Sequence, residues 1–125
     1  MPGVIVDTDV AIDFLRGESY AQPLLAGLWR AGTAVLSALT VYELTAGMRE
    51  KERQKTMAFM DACAIEPVTQ KIAEWGGTLY RNWRSQGVTL TAIDCLIAAT
   101  AEEREHVIAT RNVKHYPDKK LLYRF

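Results

Sequence analysis

The run Gly3-Val4-Ile5-Val6 passes without a spacer into Asp7-Thr8-Asp9, and Val10, Ala11, Phe14 and Leu15 follow at helical spacing. A short apolar, mostly β-branched stretch reads as a strand buried on both faces, and the change of period marks an immediate handover to a helix. In open α/β sheets the ligand site lies outside the carboxyl ends of the strands, so Asp7 is delivered to the place where chemistry usually sits. Thr8 and Asp9 have a second use open to them, as N-cap of the helix that follows. For Asp7, which closes an apolar strand, capping is the weaker reading.

The same alternation continues along the chain. After the break at Arg16-Gly17-Glu18-Ser19, the span from Tyr20 to Arg30 places Ala21, Leu24, Leu25 and Leu28 on one helical face, and Gly32-Thr33 closes it. Ala34–Ser37 reads as a short central strand, and Thr40 opens a helix carrying Val41, Leu44 and Met48. Arg49 to Lys55 reads as a solvated turn before an apolar face from Met57 to Ala62. Ile65–Val68 is a third strand, placed near an edge by Pro67. Thr69 starts a long helix with Ile72, Trp75, Leu79 and Trp83 on one stripe, interrupted in pattern by Gly76-Gly77 and ended by Gln86-Gly87. Thr91 begins a helix so apolar (Ile93, Leu96, Ile97, Ala98, Ala99) that it must be buried on more than one side. Val107–Ala109 is a fourth strand and Leu121–Tyr123 a weak fifth. The pattern predicts a three-layer α/β/α domain with a mostly parallel central sheet, one unit spanning residues 1–125.

Composition limits the function classes. The chain has 125 residues, 49% apolar and 24% charged, enough for a core of its own. Fifteen basic and fifteen acidic side chains cancel, which excludes non-specific coating of nucleic acid and leaves only a local patch for such a partner. No stretch approaches the roughly 18 apolar residues of a membrane span, and no leader-like run opens the sequence. Cys63 and Cys95 make neither a disulfide frame nor a zinc site. A reducing cytoplasm is the expected setting.

The carboxylates carry the chemistry. Asp7 closes the first strand, Glu43 lies one turn into the helix after the second, and Asp94 lies one turn into the buried helix before the fourth. All three fall near one edge of the predicted sheet. Gathered carboxylates repel one another and call for a cation, and oxygen donors without a His/Cys cluster favour Mg²⁺ or Mn²⁺ over zinc. Such an ion activates water and steadies the charge growing on a phosphate, which points to phosphodiester hydrolysis. Thr40–Glu43 and Thr91–Asp94 also fit a capping-box spacing, so either acid has a purely structural use. Asp94, set among Ile93, Leu96 and Ile97, would cost several kcal/mol as an unpaired buried charge and needs compensation.

Four segments together resemble the successive motifs of the PIN-domain family, and within it the VapC toxins of prokaryotic toxin–antitoxin pairs. They are Val6-Asp7-Thr8, Ser37 to Leu44, Thr91 to Ala101, and Thr110-Arg111-Asn112-Val113-Lys114-His115-Tyr116. The resemblance spans almost the whole chain and implies a Mg²⁺-dependent endoribonuclease cutting tRNA or another structured RNA. It further implies a dimer restrained by a small VapB-type antitoxin in a hetero-oligomer. By position it makes Asp7, Glu43 and Asp94 the catalytic, metal-binding acids, with Thr8, Asp9 and Thr110 supporting them.

The last motif departs from the pattern, because Asn112 and His115 stand where many relatives carry a fourth acid. That departure favours one tightly held ion, with Asp9 partly replacing the missing charge. Arg111 and Lys114, with Lys119, Lys120 and Arg124 against the single acid Asp118, offer an RNA-backbone patch or merely a solvated edge. Leu24, Leu25, Leu28, Met57, Phe59 and Met60 suggest a groove for an antitoxin helix. Two rivals remain: a haloacid-dehalogenase-like phosphatase using Asp7 and Asp9, for which no late acidic pair is found, and a catalytically silent RNA- or partner-binding domain.

Overall fold

The structure, a computed structural model, describes residues 2–125. Among these, four strands form one sheet: β1 (Val4–Val6), β2 (Ala34–Ser37), β3 (Ala64–Glu66) and β4 (Val107–Ala109), in the order β3-β2-β1-β4. Every pairing is parallel, with Val4 opposite both Ala34 and Val107, and Val35 opposite Ala64. The helices are α1 (Thr8–Leu15), α2 (Ala21–Ala31), α3 (Ala38–Gly47), α4 (Arg53–Asp61), α5 (Gln70–Ser85) and α6 (Ala92–Arg104).

Alternate side chains of β1 point to opposite faces, and each face has its own core. Val4 and Val6 pack with Val10, Leu25, Leu44 and Phe59 beneath the first four helices, whereas Ile5 packs with Ile97, Ala101, Ile108 and Tyr116 beneath α6. α5 lies against α6, so the latter is buried between sheet and helix, as its apolar sequence demands. This is the expected three-layer α/β/α arrangement. β1 and β2 are the two inner strands, and Asp7 leaves the carboxyl end of β1.

Several local expectations are corrected. α3 begins at Ala38, capped by the Ser37 hydroxyl accepting from the Leu39 amide at 3.1 Å. Thr40 is therefore a fully buried residue inside the helix rather than its cap, and Glu43 lies deeper than one turn. Ser37 wins because it is the last paired residue of β2, opposite Glu66, so strand and helix share a border with no loop. The solvated turn after Arg49 is short: a 3₁₀ turn at Glu50–Glu52 runs straight into α4.

Gly76-Gly77 does not interrupt α5. Gly76 is buried where a Cβ would stand 2.9 Å from Leu96 Cδ2, so its missing side chain lets α5 approach α6. The fifth strand shrinks to one bridge, Leu122 beside Ile108, after a 3₁₀ turn at Lys119–Leu121. The apolar groove expected on α2 and α4 is largely taken up by the core: Leu25, Leu28, Phe59 and Met60 are buried, and only Leu24 and Met57 remain partly exposed. Cys63 and Cys95 are both free and buried. Among the described residues, no helix is long and apolar enough to cross a membrane.

Candidate active site

Two strand-to-helix borders, the start of α6 and the loop after β4 build the site. At the first, Asp7 continues the β1 ladder through its amide, which donates to the Ala109 carbonyl at 3.0 Å. Its side chain then caps α1, Oδ1 accepting from the Thr8 amide at 2.9 Å. Capping thus falls to Asp7 itself rather than to Thr8 or Asp9. The cap uses one oxygen, and Oδ2 accepts from the hydroxyls of Thr110 at 2.8 Å and Tyr116 at 3.1 Å. Asp7 is only 7% exposed. Burial is the largest cause pushing its carboxyl up to about 6, the Thr110 hydroxyl holds it down, and the neighbouring Asp9 charge raises it.

Glu43 reaches the same place from α3. Thr8 donates its one hydroxyl proton to Glu43 Oε1 at 2.7 Å, so the buried Thr40 hydroxyl, 3.0 Å away, donates to Thr8. A chain of two threonines thereby orients the glutamate. Asp94 arrives on the first turn of α6. Thr91 caps that helix by accepting from the Asp94 amide at 3.1 Å, but the carboxylate makes no return bond to the cap. Its Oδ2 lies 3.2 Å from Nδ1 of the half-exposed His115. The capping-box reading therefore fails for Glu43 and holds only in half for Asp94.

Asp9 ties the last loop to the first. Its Oδ1 accepts from the Val10 amide at 2.8 Å, and its Oδ2 from the Arg111 amide at 2.9 Å. Thr110 accepts in turn from the Asn112 amide at 3.0 Å. The result is an open cleft of about 360 Å³ lined by Asp7, Asp9, Glu43, Asp94, Asn112 and His115, with Thr8 and Thr91 among the neighbours and no Lys or Arg on its wall. Arg111 and Lys114 are exposed and lie outside that wall.

Tyr116 is the contributor that the sequence reading passed over as a motif member without a role. It is 1% exposed, and burial together with the charges of Asp7, Asp94 and Asp9 pushes its phenol far above the ordinary range. It therefore stays protonated and always donates to Asp7. Its sequence signal was faint: a tyrosine in an otherwise polar loop, directly before Pro117.

The donor set is oxygen-only apart from His115, which suits a hard divalent cation. Among the described residues, no three His, Cys, Asp or Glu side chains are drawn close enough to enclose an ion as they stand. The carboxylates line a cleft rather than close a cage. Asp7 and Asp94, both largely withdrawn from water, and Glu43, aimed by Thr8, are the groups able to hold one.

A parallel three-layer domain with an uncompensated acidic cleft beyond its strand ends defines a class of hydrolytic α/β proteins. The chain belongs to the PIN-domain family, whose sequence model matches residues 4–116. It is 42% identical over 114 residues to Ribonuclease VapC19 of Mycobacterium tuberculosis, covering 90% of this chain and 91% of that one. To Ribonuclease VapC10 of the same organism it is 34% identical, covering 91% and 86%. Among solved structures, it superposes on a toxin–antitoxin complex from Klebsiella pneumoniae with a TM-score of 0.81 at 22% identity, covering 98% of this chain and 97% of that chain. It also superposes on VapBC2 from Rickettsia felis, bound to a DNA fragment from their promoter, with a TM-score of 0.80 at 18% identity, covering 95% of each chain. PIN-domain ribonucleases in general depend on a divalent metal, in keeping with the donor set here. The family match also displaces the phosphatase reading.

Proposed function

We propose that this chain is an endoribonuclease, the toxin of a type II toxin–antitoxin pair of the VapBC kind, acting in the cytoplasm as one PIN unit on tRNA or another structured RNA. The observation that carries this reading is the cleft itself: four carboxylates, Asp7, Asp9, Glu43 and Asp94, with no Lys or Arg beside them. Hydroxyl donors and His115 satisfy individual oxygens, but no resident Lys or Arg offsets the summed negative charge, which suits a cation from outside. When bound, Mg²⁺, with Mn²⁺ as a substitute, supplies the Lewis acidity for water to attack a phosphodiester.

The chain's own residues do the rest. Asp7 and Asp94 are the main ligands, and Glu43 completes the set in the orientation that Thr8 gives it. Thr110 and Tyr116 hold Asp7 Oδ2, so the carboxylate presents one face to the cleft. Asp9 fixes the Arg111 backbone and with it the loop that carries Asn112 and His115. Asn112 and His115 stand at the two places where many relatives carry an acid, and from 3.2 Å His115 restrains Asp94. With no fourth acid there, the cleft holds one ion tightly. The relatives that are toxin–antitoxin complexes support a VapB-type antitoxin as partner, and a homodimer is the expected toxin unit.

The test is cleavage of total tRNA by the purified chain with Mg²⁺ or Mn²⁺, against EDTA and against Asp94→Asn. Cleavage that requires both the metal and Asp94 is the expected result. A folded, Mn²⁺-binding protein that leaves every RNA intact would overturn the nuclease and make the chain a binding module.

A further inference from the structure

A cleft of four carboxylates repels a polyanion, so an RNA has to be gripped beside it. Across the Thr110-Arg111 step lies a second, larger groove of about 1060 Å³, lined by Tyr20, Arg111, Lys119, Tyr123, Arg124 and Phe125 among others, and by no Asp or Glu side chain. Its rings are nearly parallel in stacked pairs: Tyr20 and Phe125 have centroids 6.0 Å apart at 15°, and Tyr123 and Phe125 6.4 Å apart at 22°. Phe125 is 53% exposed, the most open of the three rings in the groove.

Arg111 joins the two sites. Its amide is anchored on Asp9 in the cleft at 2.9 Å, while its guanidinium lies 4.5 Å above the Tyr20 ring in the groove. The Tyr20 hydroxyl donates to Asp13, which keeps that ring in place. Lys119 rests its ammonium on the Val113 carbonyl at 3.0 Å, and Lys114 does not line the groove. Near-parallel rings flanked by cations, in a groove whose lining includes no Asp or Glu, are the two components by which proteins hold single-stranded nucleic acid without reading its sequence.

We propose that this groove is a subsite for single-stranded RNA entering or leaving the acidic cleft, with Phe125 as an exposed stacking platform and Arg111, Lys119 and Arg124 on the phosphates. The proposal rests on the nuclease reading for the identity of the polymer. Its chemistry predicts tolerance of base identity, because every base has a face to stack and no side-chain amide or carboxylate lines the groove to read an edge.

The test is the affinity of fluorescein-labelled oligouridylate and oligoadenylate for the full chain carrying Asp94→Asn, in Mg²⁺, compared with the same chain carrying also Phe125→Ala or the pair Arg111→Gln and Arg124→Gln. Thermal melts verify that each variant is folded. Loss of roughly tenfold in affinity is expected for Phe125→Ala with both oligonucleotides, and a shallower salt dependence for the double arginine variant. Unchanged affinity in the variants, or no binding by the parent, overturns the proposal. So does a loss confined to binding of the antitoxin, which would make the groove a protein-docking site. Metal-dependent cleavage by the unmodified chain is scored separately. Cleavage with unchanged oligonucleotide affinity removes the groove alone, and stacking without cleavage removes the nuclease alone.

Discussion

Asp7 concentrates the conflict between stability and function in a single side chain. It ends a buried strand, caps a helix and faces three other acids, and its carboxyl is raised from 3.8 to about 6 chiefly by burial. Because the folded value exceeds the unfolded one, the folded chain holds more protons between them, so metal-free stability falls as pH rises through about 4 to 6 and is flat above. The shift corresponds to about 3 kcal/mol. Denaturant unfolding in EDTA at pH 4.5 and pH 8 should show about 2 kcal/mol of that decline. At pH 8, Asp7→Asn should raise metal-free stability by about 1–3 kcal/mol while abolishing RNA cleavage, the sign of a residue kept for function. Tyr116→Phe keeps the ring but removes one donor to Asp7. It should cost about 1 kcal/mol in unfolding and lower kcat roughly fivefold, the worth of one ordinary hydrogen bond.

At the scale of elements, the paired glycines of α5 separate two effects that sequence alone confounds. A Cβ on Gly76 meets Leu96 of α6 at 2.9 Å, whereas one on Gly77 meets nothing within 4 Å. Gly77→Ala should therefore stabilise the protein by about 0.5–1 kcal/mol through helix propensity, and Gly76→Val should destabilise it by about 1–3 kcal/mol through overpacking. Paired melts of the two variants check this directly, and equal effects would show that α5 does not approach α6 through Gly76. The start of α3 carries a similar lesson. Ser37 and Thr40 are both favoured N-cap types, with serine only modestly the better. Pairing of β2 with β3 decides for Ser37, which frees Thr40 to bond Thr8.

For the molecule as a whole, zero net charge hides a division of labour between an acidic cleft and a basic, aromatic groove joined through Arg111. Three cations on the groove predict a slope of about −2 for the logarithm of RNA affinity against the logarithm of salt concentration, measured by titration in Asp94→Asn. On the proposed reading, Mg²⁺ is held by the folded cleft and not by the unfolded chain. At a hundred times its Kd it should raise unfolding stability by about 2.7 kcal/mol, and this gain should disappear in Asp94→Asn.

Much of this was written locally. The apolar run ending at Asp7, the Thr91 cap, the apolar α6 around Asp94 and the edge position of β3 follow from side-chain size, branching and period, which act within a few residues of each other. Those signals suffice for a parallel α/β/α sandwich and for the three acids as candidates. What they could not supply was which groups meet across long stretches of chain. The Tyr116 hydroxyl bonds Asp7 from 109 residues away, Asp9 holds the backbone 102 residues on, and Tyr20 meets Phe125 from the opposite end of the chain. The apolar residues of α2 and α4 look like a docking surface until the sheet claims them for the core. Period and propensity determine elements and the faces they bury. Only the closed fold, in which most buried polar groups find a partner wherever the chain happens to bring one, decides the contacts that make a site.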